Sequence, residues 1–196
     1  MEEAMIKVFY DLETTGTDYK KHSIHQIAGM IEIDDEIVES FDIKTRPHPK
    51  ALIEEDALKV ARVTREQILA YPDMGEAHKK LVQILNKYIP RFNKKIKAWL
   101  VGFNNRSFDD QFFRAWFVQN GDPYFGSHFW SDSLDALVTA SEYLLDRRSS
   151  MLNFQQETVA QTLGIEVDKE KLHDALYDVN LTRQIYRITT GREIEL

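Results

Sequence analysis

The sequence predicts an α/β protein: a mixed sheet, made of an antiparallel meander plus parallel strands, flanked by helices. Two observations carry this expectation. Three runs of β-forming residues follow one another near the N-terminus with only short polar turns between them, as in a meander. Later, helical patterns dominate, and among them lies one short apolar run, residues 98–103, of the kind buried in a parallel strand. Hairpin strands followed by strands that alternate with helices imply one sheet with helices packed on it.

The first strand is Lys7-Val8-Phe9-Tyr10-Asp11-Leu12-Glu13, running into Thr14-Thr15-Gly16. Apolar and aromatic residues favour the extended chain, and Gly16 stops it in a turn. Lys20-Lys21-His22 reads as a loop, residues 24–33 as the second strand and Asp34-Asp35 as a turn. Residues 37–45 form the third strand, ended by Pro47 and Pro49. Thr64-Arg65-Glu66-Gln67 has the form of a capping box and predicts a short helix that stops before Pro72. Asp73 caps the next helix, where Ala77, Leu81, Ile84, Leu85 and Tyr88 recur on one face and Pro90 closes it. After the apolar strand, Ser107 is expected to cap a helix ending at Asn120-Gly121. Further helices are expected over 132–145, over 153–163 with Asn153 and Gln156 at cap spacing, and over 173–189. No repeat, low-complexity tract or long linker interrupts the chain, so residues 1–196 read as one domain.

Composition narrows the class. Ordinary apolar content with only 5 Pro and 8 Gly argues against disorder, and the absence of cysteine excludes disulfides and thiolate chemistry. Met1-Glu2-Glu3-Ala4 lacks the basic and apolar regions of a signal peptide, and no apolar run has the length of a membrane span. A cytoplasmic protein with no membrane partner is expected. A net charge of −7 argues against a broad nucleic-acid-coating surface, though not against an enzyme whose acids are masked by metal. Two local basic stretches stand out. Residues 86–97 hold Lys87, Arg91, Lys94, Lys95 and Lys97 with no acid among them, and Lys44, Arg46 and Lys50 lie beside His48. Each fits a phosphate-tracking rim or an ordinary solvated surface.

Asp11 and Glu13 are two apart, so a strand places both carboxylates on one face. Like charges side by side repel, and a hard divalent cation such as Mg²⁺ or Mn²⁺ is what would hold them there. Other polar residues stand at the ends of expected elements: Asn104 where the apolar strand stops, Asp109 in the first turn of the following helix, and His173 with Asp178 at the start of the last one. His173 and Asp178 are five apart, about 140° on an ideal helix. They converge only if His173 lies at the helix mouth or before it.

In order and spacing, Asp11-Leu12-Glu13-Thr14-Thr15-Gly16, then Asn104-x3-Phe108-Asp109, then His173-x-Ala175-x2-Asp178 resemble the three exonuclease motifs of the DnaQ-like family with the DEDDh signature. The resemblance covers residues 5–188 and implies a ribonuclease H-like fold. It further implies a 3′→5′ exonuclease that releases nucleoside 5′-monophosphates from the 3′ end of single-stranded nucleic acid, DNA by preference. By matched position, Asp11, Glu13, Asp109 and Asp178 would hold two divalent cations, Mg²⁺ or Mn²⁺, with His173 as general base. Leu12, Thr14 and Thr15 match the positions that meet the terminal nucleotide, and Asn104 would steady either the strand end or the substrate. Two departures are visible. Many relatives carry a bulky apolar residue after the motif Gly, where this chain has Thr17, and many carry Val-His-Gly-Ile-Thr where it has Val60-Ala61-Arg62-Val63-Thr64. A small-RNA trimming exoribonuclease and a proofreading-type domain acting mainly as a DNA polymerase partner are the competing readings. A scaffold or inactive binding module would have little need to keep all four acids and His173.

Overall fold

A computed structural model describes residues 5–191; Met1-Glu2-Glu3-Ala4, read above for a leader, and residues 192–196 lie outside the described residues. Strands β1 (Ile6–Thr14), β2 (Ile24–Ile33) and β3 (Glu36–Lys44) form the antiparallel meander. Strands β4 (Trp99–Gly102) and β5 (Leu134–Asp135) add in parallel on the other side of β1, giving the order β3-β2-β1-β4-β5. The helices are α1 (Glu55–Val60), α2 (Arg65–Leu69), α3 (Met74–Tyr88), α4 (Asp109–Gln119), α5 (Ala136–Tyr143), α6 (Gln156–Thr162) and α7 (Ala175–Thr189). On one face of the sheet, α3 and α4 bury Leu81, Leu85, Phe113 and Trp116 against Val8, Tyr10 and Ile27. On the other, α5, α6 and α7 bury Ala140, Val159 and Val179 against Phe9, Ala28 and Val101. This is the mixed, helix-flanked sheet that the sequence predicts. Among the described residues no helix is long and apolar enough to cross a membrane.

Local signals placed several boundaries well. The capping box at α2 forms as read, with Thr64 Oγ1 accepting from the Gln67 N–H at 3.2 Å and Gln67 Oε1 from the Thr64 N–H at 2.7 Å. Asp73 caps α3 through the Gly75 N–H at 2.8 Å. Other expectations need correction. Residues 132–135 are not helical: the chain first pairs with Val101 and Gly102 as β5, and only then does Asp135 cap α5 through the Leu137 N–H at 2.9 Å. Ser107 does not cap α4 but sits in a 3₁₀ turn, where its hydroxyl donates to Asn104 Oδ1 at 2.8 Å. Helix α6 starts at Gln156, because Asn153 Oδ1 instead accepts the Gln155 N–H at 3.0 Å in a preceding turn. Helix α1 carries no side-chain cap and was not anticipated.

Alternation along β1 sets the site's position. Ile6, Val8, Tyr10 and Leu12 point to the α3/α4 side, whereas Phe9 packs toward α7. On that second face Lys7 lies at one end, and Asp11 and Glu13 lie at the other. Fully buried Lys7 Nζ contacts Glu32 Oε1 at 2.8 Å, and the other Glu32 oxygen takes Arg183 Nε of α7 at 2.7 Å. Helix α7 is thereby fastened to the start of β1 and runs back along the strand, so its first turn meets the acids at the strand's end. Glu32→Ala removes the carboxylate that Lys7 and Arg183 share and leaves buried Lys7 only Asp35 Oδ1, at 3.1 Å. It is expected to cost about 3–5 kcal/mol, read as a lower urea midpoint with an unchanged m-value.

Candidate active site

At the C-terminal end of β1 the chain is tied down by its own threonines. The Thr14 hydroxyl donates to the Gly16 carbonyl at 2.8 Å. Thr15, fully buried, donates its hydroxyl to Leu52 O at 2.7 Å and accepts the Ser23 N–H at 3.0 Å, while its carbonyl takes the Glu54 N–H at 2.8 Å. A Cβ on Gly16 would lie 2.3 Å from the His22 ring, so only glycine lets that imidazole close against the turn. Leu12 is buried in the core beneath. The side chains of Leu12 and Thr15 thus point into the protein and shape the strand end, and Thr17 is exposed at its rim.

Three other elements reach this end. Beyond β4 the chain turns through Asn104, whose φ of +60° is the left-handed conformation that asparagine tolerates. Asp135 Oδ1 locks that turn by accepting the Asn104 N–H at 2.9 Å. The turn delivers buried Asp109 as the first residue of α4. From the opposite face, α7 delivers Asp178. His173 lies outside the helix at φ +69°, just before the capping residue Asp174, and its own N–H donates to Asp178 Oδ2 at 3.1 Å. This is the arrangement that lets a pair five residues apart converge. Helix α6 braces the base of α7 through Gln156 Nε2, which donates to Asp178 O and Thr182 Oγ1, both at 2.8 Å.

The electrostatics show that the four acids feel one another. Burial, then the Asp178 charge, pushes Asp11 up to about 7. Burial, then the charges of Asp11 and Asp178, pushes Glu13 up to about 8. Asp109 is held well above the usual carboxylate range by burial and by Asp11. Asp178 rises to about 6 through burial, against the opposing pull of the His173 N–H. Among the described residues no basic side chain forms an ion pair with any of the four, and Asp178 Oδ1 is buried without a hydrogen-bond partner. As they stand, no three acids or histidines among the described residues are drawn close enough to cage an ion. The donor set still fits hard divalent cations: four carboxylates that repel through Asp11 and Glu13, one with a bare oxygen and none held in an ion pair among the described residues.

Some residues that build the site were not singled out in the sequence. Asp110, next to Asp109, faces the other way and accepts hydrogen bonds from Tyr10 Oη and Ser133 Oγ, each at 2.5 Å, which fixes the first turn of α4. Asp135 was hidden by the expectation of a continuous helix, although an Asp before Ala-Leu-Val is a cap signal. Arg62, at the place where many relatives have glycine, adopts φ +53° and donates from Nη1 to Glu170 O at 3.2 Å, next to the His173 segment.

A family profile described as an exonuclease, RNase_T, matches residues 8–186. No curated protein matches the chain in sequence. Among solved structures, E. coli exonuclease I in complex with a dT13 oligonucleotide is similar with a TM-score of 0.76 at 20% identity, covering 96% of this chain and 41% of that one. An exonuclease I in the apo state matches with a TM-score of 0.75 at 20% identity, over 96% of this chain and 42% of that one. The zinc-bound form of the E. coli exonuclease I–ssDNA complex gives 0.73 at 20% identity, over 95% and 41%. This chain therefore spans about two fifths of those chains, and likeness at such identity speaks to fold. The profile match over nearly the whole chain decides the family: the chain belongs to the RNase_T exonucleases, DnaQ-like members of the ribonuclease H-like superfamily.

Proposed function

We propose that the chain, as a single exonuclease domain, hydrolyses single-stranded DNA from its 3′ end and releases nucleoside 5′-monophosphates. The observation that carries this reading is the meeting of four carboxylates, raised in pKa and in no ion pair among the described residues, beside exposed His173 at the lip of the site. Asp11, Glu13, Asp109 and Asp178 would hold two Mg²⁺ or Mn²⁺ ions. When bound, such a pair lowers the pKa of water and stabilises charge on the attacking and leaving oxygens. The His173 ring accepts the proton of the attacking water, a role suited to an imidazole near neutrality. The rigid turn at Thr14, Thr15 and Gly16, with Asn104 across the mouth, seats the terminal nucleotide. DNA is favoured because the similar exonuclease I structures hold dT13 and dA16 oligonucleotides. The polymerase partner gains no support from the fold or the comparisons.

The test is a cleavage ladder from a 5′-labelled oligonucleotide, with DNA and RNA versions side by side in Mg²⁺ and in Mn²⁺. Stepwise shortening from the 3′ end is expected, slowed strongly by a 3′-phosphate, indifferent to a blocked 5′ end and abolished by EDTA. Efficient cutting of circular single-stranded DNA would replace this reading with an endonuclease.

Protons and metal should compete for the same oxygens. Asp11 and Glu13 have folded pKa values of about 7 and about 8, above the ~3.9 and ~4.3 of an unfolded chain. A raised folded pKa gives stability that is fully present below about pH 4 and lost as pH rises through about 7 to 8. The metal-free protein should therefore lose stability at this cluster between about pH 4 and pH 8. Mn²⁺ should raise Tm much more at pH 8 than at pH 5. An equal Mn²⁺ shift at both pH values would exclude these carboxylates as the ligands.

A further inference from the structure

The end of the sheet away from the four acids carries a strip of aromatic rings and cations that the proposed reaction does not use. Trp99 of β4 pairs with Lys7 at the start of β1, and the four residues of strand from there to Asp11 span about 13 Å. Past α3 the chain exposes Phe92 by 66%, and Tyr124 is exposed by 54%. Their rings stand edge to face with centroids 5.3 Å apart. The Arg91 guanidinium lies 5.8 Å from one ring centre and 5.9 Å from the other. It is pinned there by an ion pair with Asp122, which is also in contact with His78 Nε2 at 3.1 Å. Phe92 takes φ +64°, a conformation that a bulky residue avoids, so the backbone accepts strain while this ring stands in water.

The strip continues along two segments that hydrogen-bond to each other. The Ala98 N–H donates to His128 O at 2.9 Å, and the Trp130 N–H to Ala98 O at 3.0 Å. Lys97 Nζ donates to Gly126 O at 2.6 Å, lies 5.5 Å from the Trp130 ring centre, and Trp130 in turn lies 6.1 Å from Trp99. Exposed Lys94 and Lys95 fall between the two ring pairs in sequence, in the acid-free stretch 86–97 of a chain whose net charge is −7.

Rings open to solvent alternating with cations match one ligand class in both respects. A single strand offers unstacked bases to the rings and phosphates to the cations, whereas a duplex hides its base faces. We propose that this strip is a second binding site, for single-stranded nucleic acid, in which Phe92 and Tyr124 stack on bases while Lys94 and Lys95 meet phosphates. It would hold the strand upstream of the 3′ end being cut, and for that identity of the strand it rests on the exonuclease reading.

Fluorescence polarisation of a labelled single-stranded 20-mer in EDTA measures binding apart from cleavage. Phe92→Ala/Tyr124→Ala should weaken binding about tenfold or more, since a stacked base contributes about 1–3 kcal/mol, and should leave binding of a duplex 20-mer unchanged. Lys94→Gln/Lys95→Gln should make the slope of log affinity against log salt shallower by about 1.4. Both ring residues are exposed, so melting temperatures should stay at the parent value, and so should turnover of a dinucleotide too short to span both sites. If the parent cuts the dinucleotide while the ring variant binds the 20-mer as tightly as the parent, the strip is overturned and the exonuclease reading stands. If the parent cuts nothing but the variants bind as expected, the strip stands and the exonuclease reading falls. Loss of affinity for an acidic peptide, with 20-mer affinity unchanged, would assign the strip to a protein partner and overturn the proposal.

Discussion

Asp11→Ala is expected to lower the rate of 3′-end cleavage about a thousandfold or more, a loss of about 4 kcal/mol of transition-state stabilisation. The side chain stands at the centre of the acid cluster, where its charge raises both Glu13 and Asp109. Its loss should have opposite effects on chemistry and on the metal-free fold. Removing one of several repelling, half-buried carboxylates relieves the others, so at pH 8 the metal-free variant should be at least as stable as the parent. The rise in Tm that Mn²⁺ gives the parent should shrink sharply. Rate, metal-free Tm and Mn²⁺-bound Tm on one preparation decide the matter. A variant with the parent's rate and the parent's Mn²⁺ response would remove Asp11 from the site.

His173→Ala should also be slow, but for a different reason. A general base contributes roughly 10²–10⁴ in rate, and the substitution removes only the ring. The hydrogen bond that steadies Asp178 comes from the His173 backbone N–H, which alanine keeps. Metal affinity and substrate affinity should therefore stay near the parent's. Residual activity should climb more steeply with pH near neutrality as hydroxide replaces the missing base. Because residue 173 holds φ +69°, alanine carries some backbone cost there. His173→Asn, which tolerates that conformation, separates strain from chemistry and should be equally slow with a parent-like Tm. A stable, fully active variant at this position would rule out the base assignment.

Much of the scaffold was legible because its causes are local. The capping box of α2, the Asp73 cap of α3 and the apolar run that became β4 depend on neighbours a few residues away, and so does the shared face of Asp11 and Glu13. Strand β5 was not legible. Its two residues are extended because they pair with Val101 and Gly102, and no periodicity can show in so short a run. The adjacent pair Asp109 and Asp110 shows the same limit within one turn of helix. Both suit a helix N-terminus, and only the positions of Tyr10 and Ser133 turn Asp110 inward as a structural tie.

The sequence by itself determined the class of sheet, the strand end that offers two carboxylates to one side, and the polar residues available at the neighbouring element ends. Their resemblance in order and spacing to a known set of motifs pointed to the chemistry. Only the tertiary structure decided that Asp11, Glu13, Asp109 and Asp178 share one buried neighbourhood and that His173 stands free of α7. It alone showed that the buried Lys7–Glu32–Arg183 network aims that helix along β1. The physical reason is range. Caps, turns and alternation act through covalent neighbours, whereas desolvation and charge–charge coupling depend on distances through space that folding alone sets.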